Sequence, residues 1–225
     1  IETKAMRLAP NQKRLGIHRF QMYYAPFFYG IMTIYWLISK DFEQVVRYNK
    51  KNLLKAQGKT FTSALTQIII IKVLYFSTMI GLPIVITASA WYVVVLGFIL
   101  MHFILGLVLS FIFQSAHILE ETDFVEVNND GCIENNWAIH QLETTSNFSH
   151  GSTLFSWFIG GLNYQVEHHL FPSICHVHYK ALSPIVKKTA EEFNVPYHQH
   201  KTFLGALKSH FTLLNRLGTG SYDQK

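Results

Sequence analysis

Charged side chains are scarce in this sequence, and the scarcity is concentrated in two stretches. Asp, Glu, Lys and Arg make up 15% of the 225 residues, whereas about 25% is usual for a soluble domain. No charged residue occurs from Val73 to Leu119, a run of 47 residues, and a second uncharged run of 20 residues covers Phe20–Ser39. Because a helix that crosses a bilayer needs roughly 20 apolar residues, these runs exclude an ordinary soluble enzyme, a disordered tail and a small disulfide-stapled domain.

Cysteine is rare as well, and several catalytic motifs are missing. The two cysteines, Cys132 and Cys175, do not have the spacing of a metal-binding or redox pair, so we expect reduced thiols on a reducing side of the membrane. The sequence contains no glycine-rich phosphate loop and no Gly-x-Ser-x-Gly elbow, which argues against a P-loop NTPase, a dinucleotide-binding enzyme and a serine hydrolase. It begins at Ile1 without the apolar core of a signal peptide, and we expect the protein to start further upstream.

The net charge of +5 hides a division along the chain. Residues 1–72 hold 12 basic and 3 acidic side chains, whereas residues 120–225 hold 7 basic and 11 acidic ones. The basic excess adjoins the apolar runs, where cytoplasmic flanks and anionic headgroups favour it. Since it forms no separate recognition helix, we expect no nucleic-acid partner.

The apolar runs predict an all-α integral membrane protein with a cytoplasmic helical cap. We expect membrane segments at roughly 20–39, 64–82 and 91–113, and a polar cytoplasmic region at 114–225. Residues 40–60 have the period of an amphipathic helix that lies on the membrane surface. Two arrangements remain open. The basic flanks favour a hairpin of the two later segments, with 20–39 dipping in or lying flat; alternatively 20–39 crosses and one later segment does not.

The arrangement of the 12 histidines carries the strongest chemical signal. Gln165-Val166-Glu167-His168-His169 forms the densest group, and His176 follows it. On a helix Gln165 and His168 share a face, and His169 is offset by about 100°. His117 falls just past the predicted end of the last membrane segment, where an ionisable side chain is a functional candidate. Imidazole is the commonest protein ligand of transition metals, so the group predicts a metal site.

The other histidines carry weaker signals. His102 lies in mid-segment and is either a haem ligand or, the favoured interpretation, a buried group bonded to a neighbouring carbonyl. His18 is expected at the membrane interface. Three histidines of the polar C-terminal region are expected to be solvated: His198, His200 and His210. Two more hold at most supporting positions: His140 and His150.

Gly160–Pro172, with its Gln-x-x-His-His-Leu-Phe-Pro core, resembles the third histidine box of the membrane fatty acid desaturases. The similarity is to the front-end subgroup, in which this box begins with Gln and which includes delta-6, delta-5 and linoleoyl-CoA desaturase relatives. It continues through Ser173–Tyr179 and includes Trp137–Asn147, Phe113–Glu120 and the stretch that begins at His18.

The resemblance implies an O₂-dependent, non-haem di-iron enzyme that introduces a cis double bond into an acyl-CoA or acyl-lipid, with electrons from cytochrome b5 or ferredoxin. It implies the bacterial plasma membrane or endoplasmic reticulum, with the histidines facing the cytoplasm. His168, His169 and His117 would bind iron. Three residues would be weak ligands or supporting groups: Gln165, His176 and Asn147.

The family's first two boxes, His-x-x-x-His and His-x-x-His-His, normally precede the matched part. No two histidines of this sequence are three or four residues apart, so we expect this chain to hold only part of the ligand set. A membrane di-iron hydroxylase and a catalytically incomplete fragment remain alternatives. Four aromatic residues are candidates for lining an acyl tunnel or for docking onto the membrane: Phe155, Trp157, Phe158 and Tyr164.

Overall fold

The computed structural model describes residues 4–125, 128, 132, 133 and 136–223, and the regular secondary structure of this part of the chain is mostly helical. In chain order its helices are α1 (Gln21–Tyr35), α2 (Asp41–Lys50), α3 (Leu53–Ala56), α4 (Phe61–Phe76), α5 (Leu82–Ile86), α6 (Trp91–His117), α7 (Trp137–Thr144), α8 (Thr153–Phe158), α9 (Gln165–Leu170), α10 (Tyr179–Glu192) and α11 (Phe203–Thr219). The strands are β1 (Ser146–Phe148) and β2 (His198–His200).

The chain divides into two compact units, and the divisions fall within α1 and α6. One unit comprises residues 1–25 and 111–225, and we call it the histidine unit. The other comprises residues 26–110, and we call it the apolar unit. The predicted mostly helical architecture is confirmed, and the strand pair of the histidine unit is the exception to it.

Two long helical runs carry the apolar sequence. α4, a π-helical turn at Ser77–Gly81 and α5 form one run of 26 residues, Phe61–Ile86, and α6 has 27 residues. Each is long and apolar enough to cross a membrane, since such runs extend roughly 40 Å at about 1.5 Å per residue. The predicted segments 64–82 and 91–113 lie inside them.

Many large apolar side chains of these runs are exposed, among them Ile71, Val85 and Leu96. An exposed surface of this kind suits hydrocarbon rather than water. Together with the two apolar runs, it indicates a membrane protein. α1 continues through a π-helical turn at Trp36–Lys40 into α2, so the predicted segment 20–39 is helical. Its crossing of the membrane stays a prediction.

Within the apolar unit α1 and α6 approach each other closely at two glycines. A Cβ on Gly106 would lie 2.4 Å from the carbonyl oxygen of Gly30, and one on Gly30 would lie 2.2 Å from the Phe103 ring. A side chain at either position would push the helices apart, so glycine is what permits this contact.

His102 joins three helices of the apolar unit. The Thr33 hydroxyl donates to the His102 carbonyl (2.7 Å) and lies 3.2 Å from His102 Nδ1, while the Tyr75 hydroxyl lies 3.0 Å from Nε2. Because the Thr33 proton is used on the carbonyl, Nδ1–H donates to Thr33 and Nε2 accepts from Tyr75. The favoured interpretation of His102 as a buried hydrogen-bonded residue is therefore confirmed, although its ring bonds hydroxyls rather than a carbonyl.

The predicted amphipathic helix at 40–60 is interrupted. α2 ends at Lys50, Asn52 adopts a left-handed conformation (φ +57°), and α3 follows. Val45 of α2, Leu54 of α3 and Ala64 of α4 form a small shared core. The Lys72 ammonium of α4 pairs with the Asp41 carboxylate at 2.8 Å, which offsets the cost of a lysine in this apolar run.

The histidine unit has two apolar clusters. In one, Phe148 of β1 packs with residues of α6 and α11. In the other, Val166 of α9 packs with Leu142 of α7 and Val186 of α10. The strands pair in parallel, with Ser146 opposite His198 and Phe148 opposite His200. This pairing joins two segments that the sequence separates widely.

The prediction that three C-terminal histidines are solvated is wrong. His210 is fully buried on α11, and its Nδ1–H donates to the Ile118 carbonyl at 2.8 Å. Burial lowers the pKa of His210 to about 4. His18 is also buried, and its ring bonds the Lys4 carbonyl (3.0 Å) and the Leu15 N–H (3.1 Å), while its place at the membrane interface stays a prediction. His198 and His200 lie half-buried in β2, so the prediction that they are solvated is also wrong.

Candidate metal centre

Three predicted site residues meet where α9 faces the end of α6. The Nε2 atom of Gln165 lies 3.4 Å from Nε2 of His117 and 3.3 Å from Nε2 of His169. The His117 and His169 rings are 5.0 Å apart at 75°. Residues four apart share a helix face, so it is His169, rather than the predicted His168, that Gln165 meets. The geometry brings two imidazole nitrogens to one amide group.

His168 points to a different neighbour. Its Nδ1 lies 3.3 Å from the Tyr179 hydroxyl, and its ring centroid is 5.8 Å from that of His169. If Nδ1–H donates to Tyr179, Nε2 is the nitrogen with a lone pair for a metal. A bond that fixes the ring orientation and tautomer is the usual support of a metal-binding histidine.

Burial favours the neutral form of His169. Burial, and then the neighbouring His168, lower the pKa of His169. Neutral imidazole is the form that binds a metal, so His169 can bind one without first having to lose a proton near neutral pH.

One buried atom of this cluster lacks a partner. Gln165 Oε1 is buried without a hydrogen bond among the described residues, and such an atom is costly unless something binds it. An orphaned oxygen beside two imidazole nitrogens fits a mixed nitrogen and oxygen site for iron. Within the described ranges, no group of three or more His, Cys, Asp or Glu side chains is arranged to hold a metal. The two imidazole nitrogens and the amide oxygen are of the donor types that iron accepts.

Asn147 and Glu167 form a hydrogen-bonded support next to the cluster. Both are fully buried. Asn147 accepts from the Val166 N–H (2.9 Å) and donates to the Glu167 carboxylate (2.8 Å). The carboxylate also accepts from the Tyr197 hydroxyl at 2.8 Å. Burial raises the pKa of Glu167, and the hydrogen bonds from Tyr197 and Asn147 oppose that rise.

Sequence reasoning missed Glu167 and Tyr197. A signal for Glu167 was present, because an acidic residue between an apolar residue and the two histidines of a buried motif needs partners. No signal marked Tyr197, which lies 30 residues further along the chain.

His176 lies apart from the cluster in the contacts described for it. It is exposed, its ring lies 3.9 Å from the Cys175 sulfur, and its Cβ packs against Gly161. Gly161 has a φ of +74° and would place a Cβ only 3.0 Å from that of His176. The structure thus gives His176 a contact with the loop before α9, and the supporting role stays a prediction.

The four aromatic residues before α9 have different surroundings. Trp157 and Phe158 are 77% and 73% exposed, Phe155 packs against Phe148, and Tyr164 stacks on His150 at 4.5 Å. An apolar cavity of about 510 Å³ lies elsewhere in the unit. Residues of α7, α9 and α10 and of the loop before β2 line it, including Leu142, Leu170, Phe171, Val186, Ala190 and Val195. The exposed Trp157 and Phe158 favour membrane docking over tunnel lining.

The family model and the similar proteins indicate the same family for this chain. Residues 6–201 match the family model for fatty acid desaturases. The chain is 36% identical to the sn-1 linoleoyl-lipid 6-desaturase of Synechocystis sp., over 96% of this chain and 60% of that protein. It is 35% identical to an acyl-lipid (8-3)-desaturase of Physcomitrium patens, over 94% of this chain and 44% of that protein.

A Delta(5) fatty acid desaturase of Dictyostelium discoideum is 33% identical, over 94% of this chain and 46% of that protein. The chain therefore spans 60% or less of the length of these three relatives. No solved structure matches it.

Proposed function

We propose, from the premise that this chain belongs to the fatty acid desaturase family, that it acts as part of an O₂-dependent front-end acyl desaturase. The substrate would be an acyl-lipid or acyl-CoA, and the product a cis double bond. The relatives named above are a 6-desaturase, an (8-3)-desaturase and a Delta(5) desaturase. The observation that carries the proposal is the convergence of Gln165, His117 and His169 within 3.4 Å in a chain of this family.

His117, His168 and His169 are the residues that would hold iron, one or both ions of a di-iron pair. Gln165 would bind weakly or orient its neighbours. Bound iron would activate O₂, the oxidant that unactivated C–H bonds require and that side chains cannot replace. The chain's own residues would keep the imidazoles neutral and orient them, with Tyr179 on His168 and Asn147 on the backbone of α9.

The membrane arrangement is a further part of the proposal. The runs Phe61–Ile86 and Trp91–His117 would cross, and the histidine unit would form the cytoplasmic cap of a bacterial plasma membrane or endoplasmic reticulum protein. The basic flanks before residue 72 and the exposed Trp157 and Phe158 support this orientation. Electrons would come from cytochrome b5 or ferredoxin, and two further histidine boxes would lie outside this chain.

Product analysis tests the proposed activity. The full-length protein is expressed in a host that supplies linoleoyl lipids, and fatty acids are analysed by mass spectrometry. We expect a product lighter by two hydrogens, and we expect His168→Ala and His169→Ala to reduce it at least about 100-fold and to lower bound iron. His178→Ala, an exposed histidine of the same region, is the matched control.

A product heavier by one oxygen would replace the desaturase with a hydroxylase. Full activity in either box variant would contradict the ligand assignment.

A further inference from the structure

The helix that carries the histidines is too short to fix its own orientation. α9 has six residues, and isolated helices of fewer than about 12 residues are marginal in water. Its first three residues, Gln165, Val166 and Glu167, are buried, while His168 and His169 are partly exposed. Contacts on the buried residues therefore decide where the two histidines point.

Glu167 makes the most extensive of these contacts. Its Oε1 accepts from the Tyr197 hydroxyl (2.8 Å) and its Oε2 accepts from Asn147 Nδ2 (2.8 Å). The Tyr197 oxygen lies 2.7 Å from the same Asn147 Nδ2 and 2.9 Å from Ser183 Oγ. Asn147 Oδ1 accepts from the Val166 N–H at 2.9 Å.

Every side-chain proton of this network has an acceptor within it. Tyr197 has one proton, which goes to Glu167, and its oxygen accepts from Ser183 and Asn147. Asn147 has two amide protons, one for Glu167 and one for Tyr197, and its oxygen takes the Val166 N–H. A network that is complete in this way holds its members in one arrangement, whereas a partly satisfied one permits several.

The network also joins four separate elements. Asn147 lies in β1, Ser183 in α10 and Glu167 in α9, and Tyr197 directly precedes β2. Since β1 pairs with β2, the strand pair brings Asn147 and Tyr197 to the same carboxylate. The α9 backbone is thus tied to the rest of the histidine unit through Glu167 and Val166.

We propose that Glu167, held by Tyr197 and Asn147, is the positioning residue that sets the rotation of α9 and so aims His168 and His169 at the metal. The inference rests on the proposed function. A carboxylate usually supports a metal-binding histidine by bonding its ring. In the described contacts Glu167 bonds no histidine ring, and it acts through the helix backbone instead. Ligands must be held to about 0.5 Å, so loss of this tie weakens metal binding even when the fold survives.

The test measures metal binding separately from folding. Tyr197→Phe, Glu167→Gln and Glu167→Ala are made in the full-length protein, the metal is removed, and Co²⁺ is titrated while its visible absorption reports affinity and coordination geometry. We expect 10- to 100-fold weaker Co²⁺ binding and an altered absorption band in Tyr197→Phe. The loss of Co²⁺ affinity should be larger in Glu167→Ala than in Tyr197→Phe. Glu167→Gln keeps one acceptor oxygen, so its loss of affinity should lie between those of the other two variants.

Tyr24→Phe is the matched control, because it also removes one tyrosine hydroxyl, which donates to the Ala5 carbonyl at 2.6 Å in the same unit. It should leave the Co²⁺ affinity and spectrum unchanged, although it also removes a hydroxyl that makes a hydrogen bond. Glu167→Ala is the variant most at risk of unfolding, and Tyr197→Phe keeps the test decisive if that happens.

Wild-type Co²⁺ affinity and spectrum in a folded Tyr197→Phe protein would overturn the inference and leave the proposed function standing. A wild-type protein that binds neither iron nor Co²⁺ and forms no desaturated product would overturn both.

Discussion

The apolar unit and the histidine unit each place histidine side chains among polar groups, but the hydrogen bonds of those histidines differ. In the apolar unit both ring nitrogens of His102 have a hydroxyl partner, Thr33 on one side and Tyr75 on the other. In the histidine unit, Nε2 of His117 and Nε2 of His169 face the same amide, and Gln165 Oε1 lacks a partner among the described residues.

This difference distinguishes a structural histidine from a candidate ligand. A complete set of hydrogen bonds leaves no lone pair for a metal, whereas an incomplete set in a buried place costs free energy until something binds. His102 therefore stabilises the packing of α1, α4 and α6, and the His117 cluster is free to serve chemistry. The comparison can be tested by substitutions on each side.

The largest effect is expected from His117→Ala in the full-length protein. We expect product formation to fall at least about 100-fold and bound iron to fall with it, because one imidazole of the cluster is lost. Gas chromatography of the fatty acids and elemental analysis of the purified protein measure the two quantities. Removal of iron from the wild type by a chelator should reproduce the loss of product. Normal iron content in His117→Ala would contradict the distinction between a structural histidine and a candidate ligand.

The next largest effect concerns His210, a buried histidine of the histidine unit that lies outside the cluster. Its folded-state pKa of about 4 lies below the unfolded value of about 6.5. Its contribution to stability is therefore complete above about pH 6.5 and is lost as the pH falls toward 4.

We expect the wild type to lose about 2 kcal/mol from this residue between pH 7 and pH 5. His210→Asn keeps an N–H donor for the Ile118 carbonyl and has no proton to gain, so its stability should fall less over the same range. Unfolding measured at several pH values in detergent tests this. Identical pH slopes for the two proteins would show that folding does not lower the pKa of His210.

The smallest effect is expected from Thr33→Val, which has nearly the same shape as the wild type. It removes the hydroxyl that bonds the His102 ring and carbonyl. The free energy of unfolding should fall by about 1 kcal/mol, with iron content unchanged. Thr78→Val, which removes an exposed hydroxyl bonded to Leu74, should change neither. Loss of iron in Thr33→Val would mean that His102 is more than a structural residue.

The long helical runs and the residues of the cluster could be predicted because their signals are local. An uncharged run from Val73 to Leu119 leaves few alternatives to membrane helices, and Gln165, His168 and His169 are neighbours in sequence. His117 was found from its place at the end of such a run, and the structure brings it beside Gln165. The helix interruption at Asn52 carried no comparable signal.

The wrong prediction for His210 shows that the polarity of neighbouring residues in sequence does not determine burial. His210 lies in a polar part of the sequence, but α11 buries Ala206, Leu213, Leu214 and Leu217 on the same side as His210. Helical periodicity was the better guide. The support around Glu167 could not be predicted, because Tyr197 and Asn147 lie 30 and 20 residues from it and reach it only through tertiary packing.

The parallel pairing of β1 with β2 has a consequence for how this protein assembles. Ser146 and His198 must meet before Asn147 and Tyr197 can bind one carboxylate, so a long chain segment has to close first. Contacts between residues far apart in sequence form slowly, because loop-closure entropy is lost before any contact compensates for it. We therefore expect α9 to become ordered late in folding. The candidate ligands His168 and His169 on α9 would then reach their final orientation only after this closure.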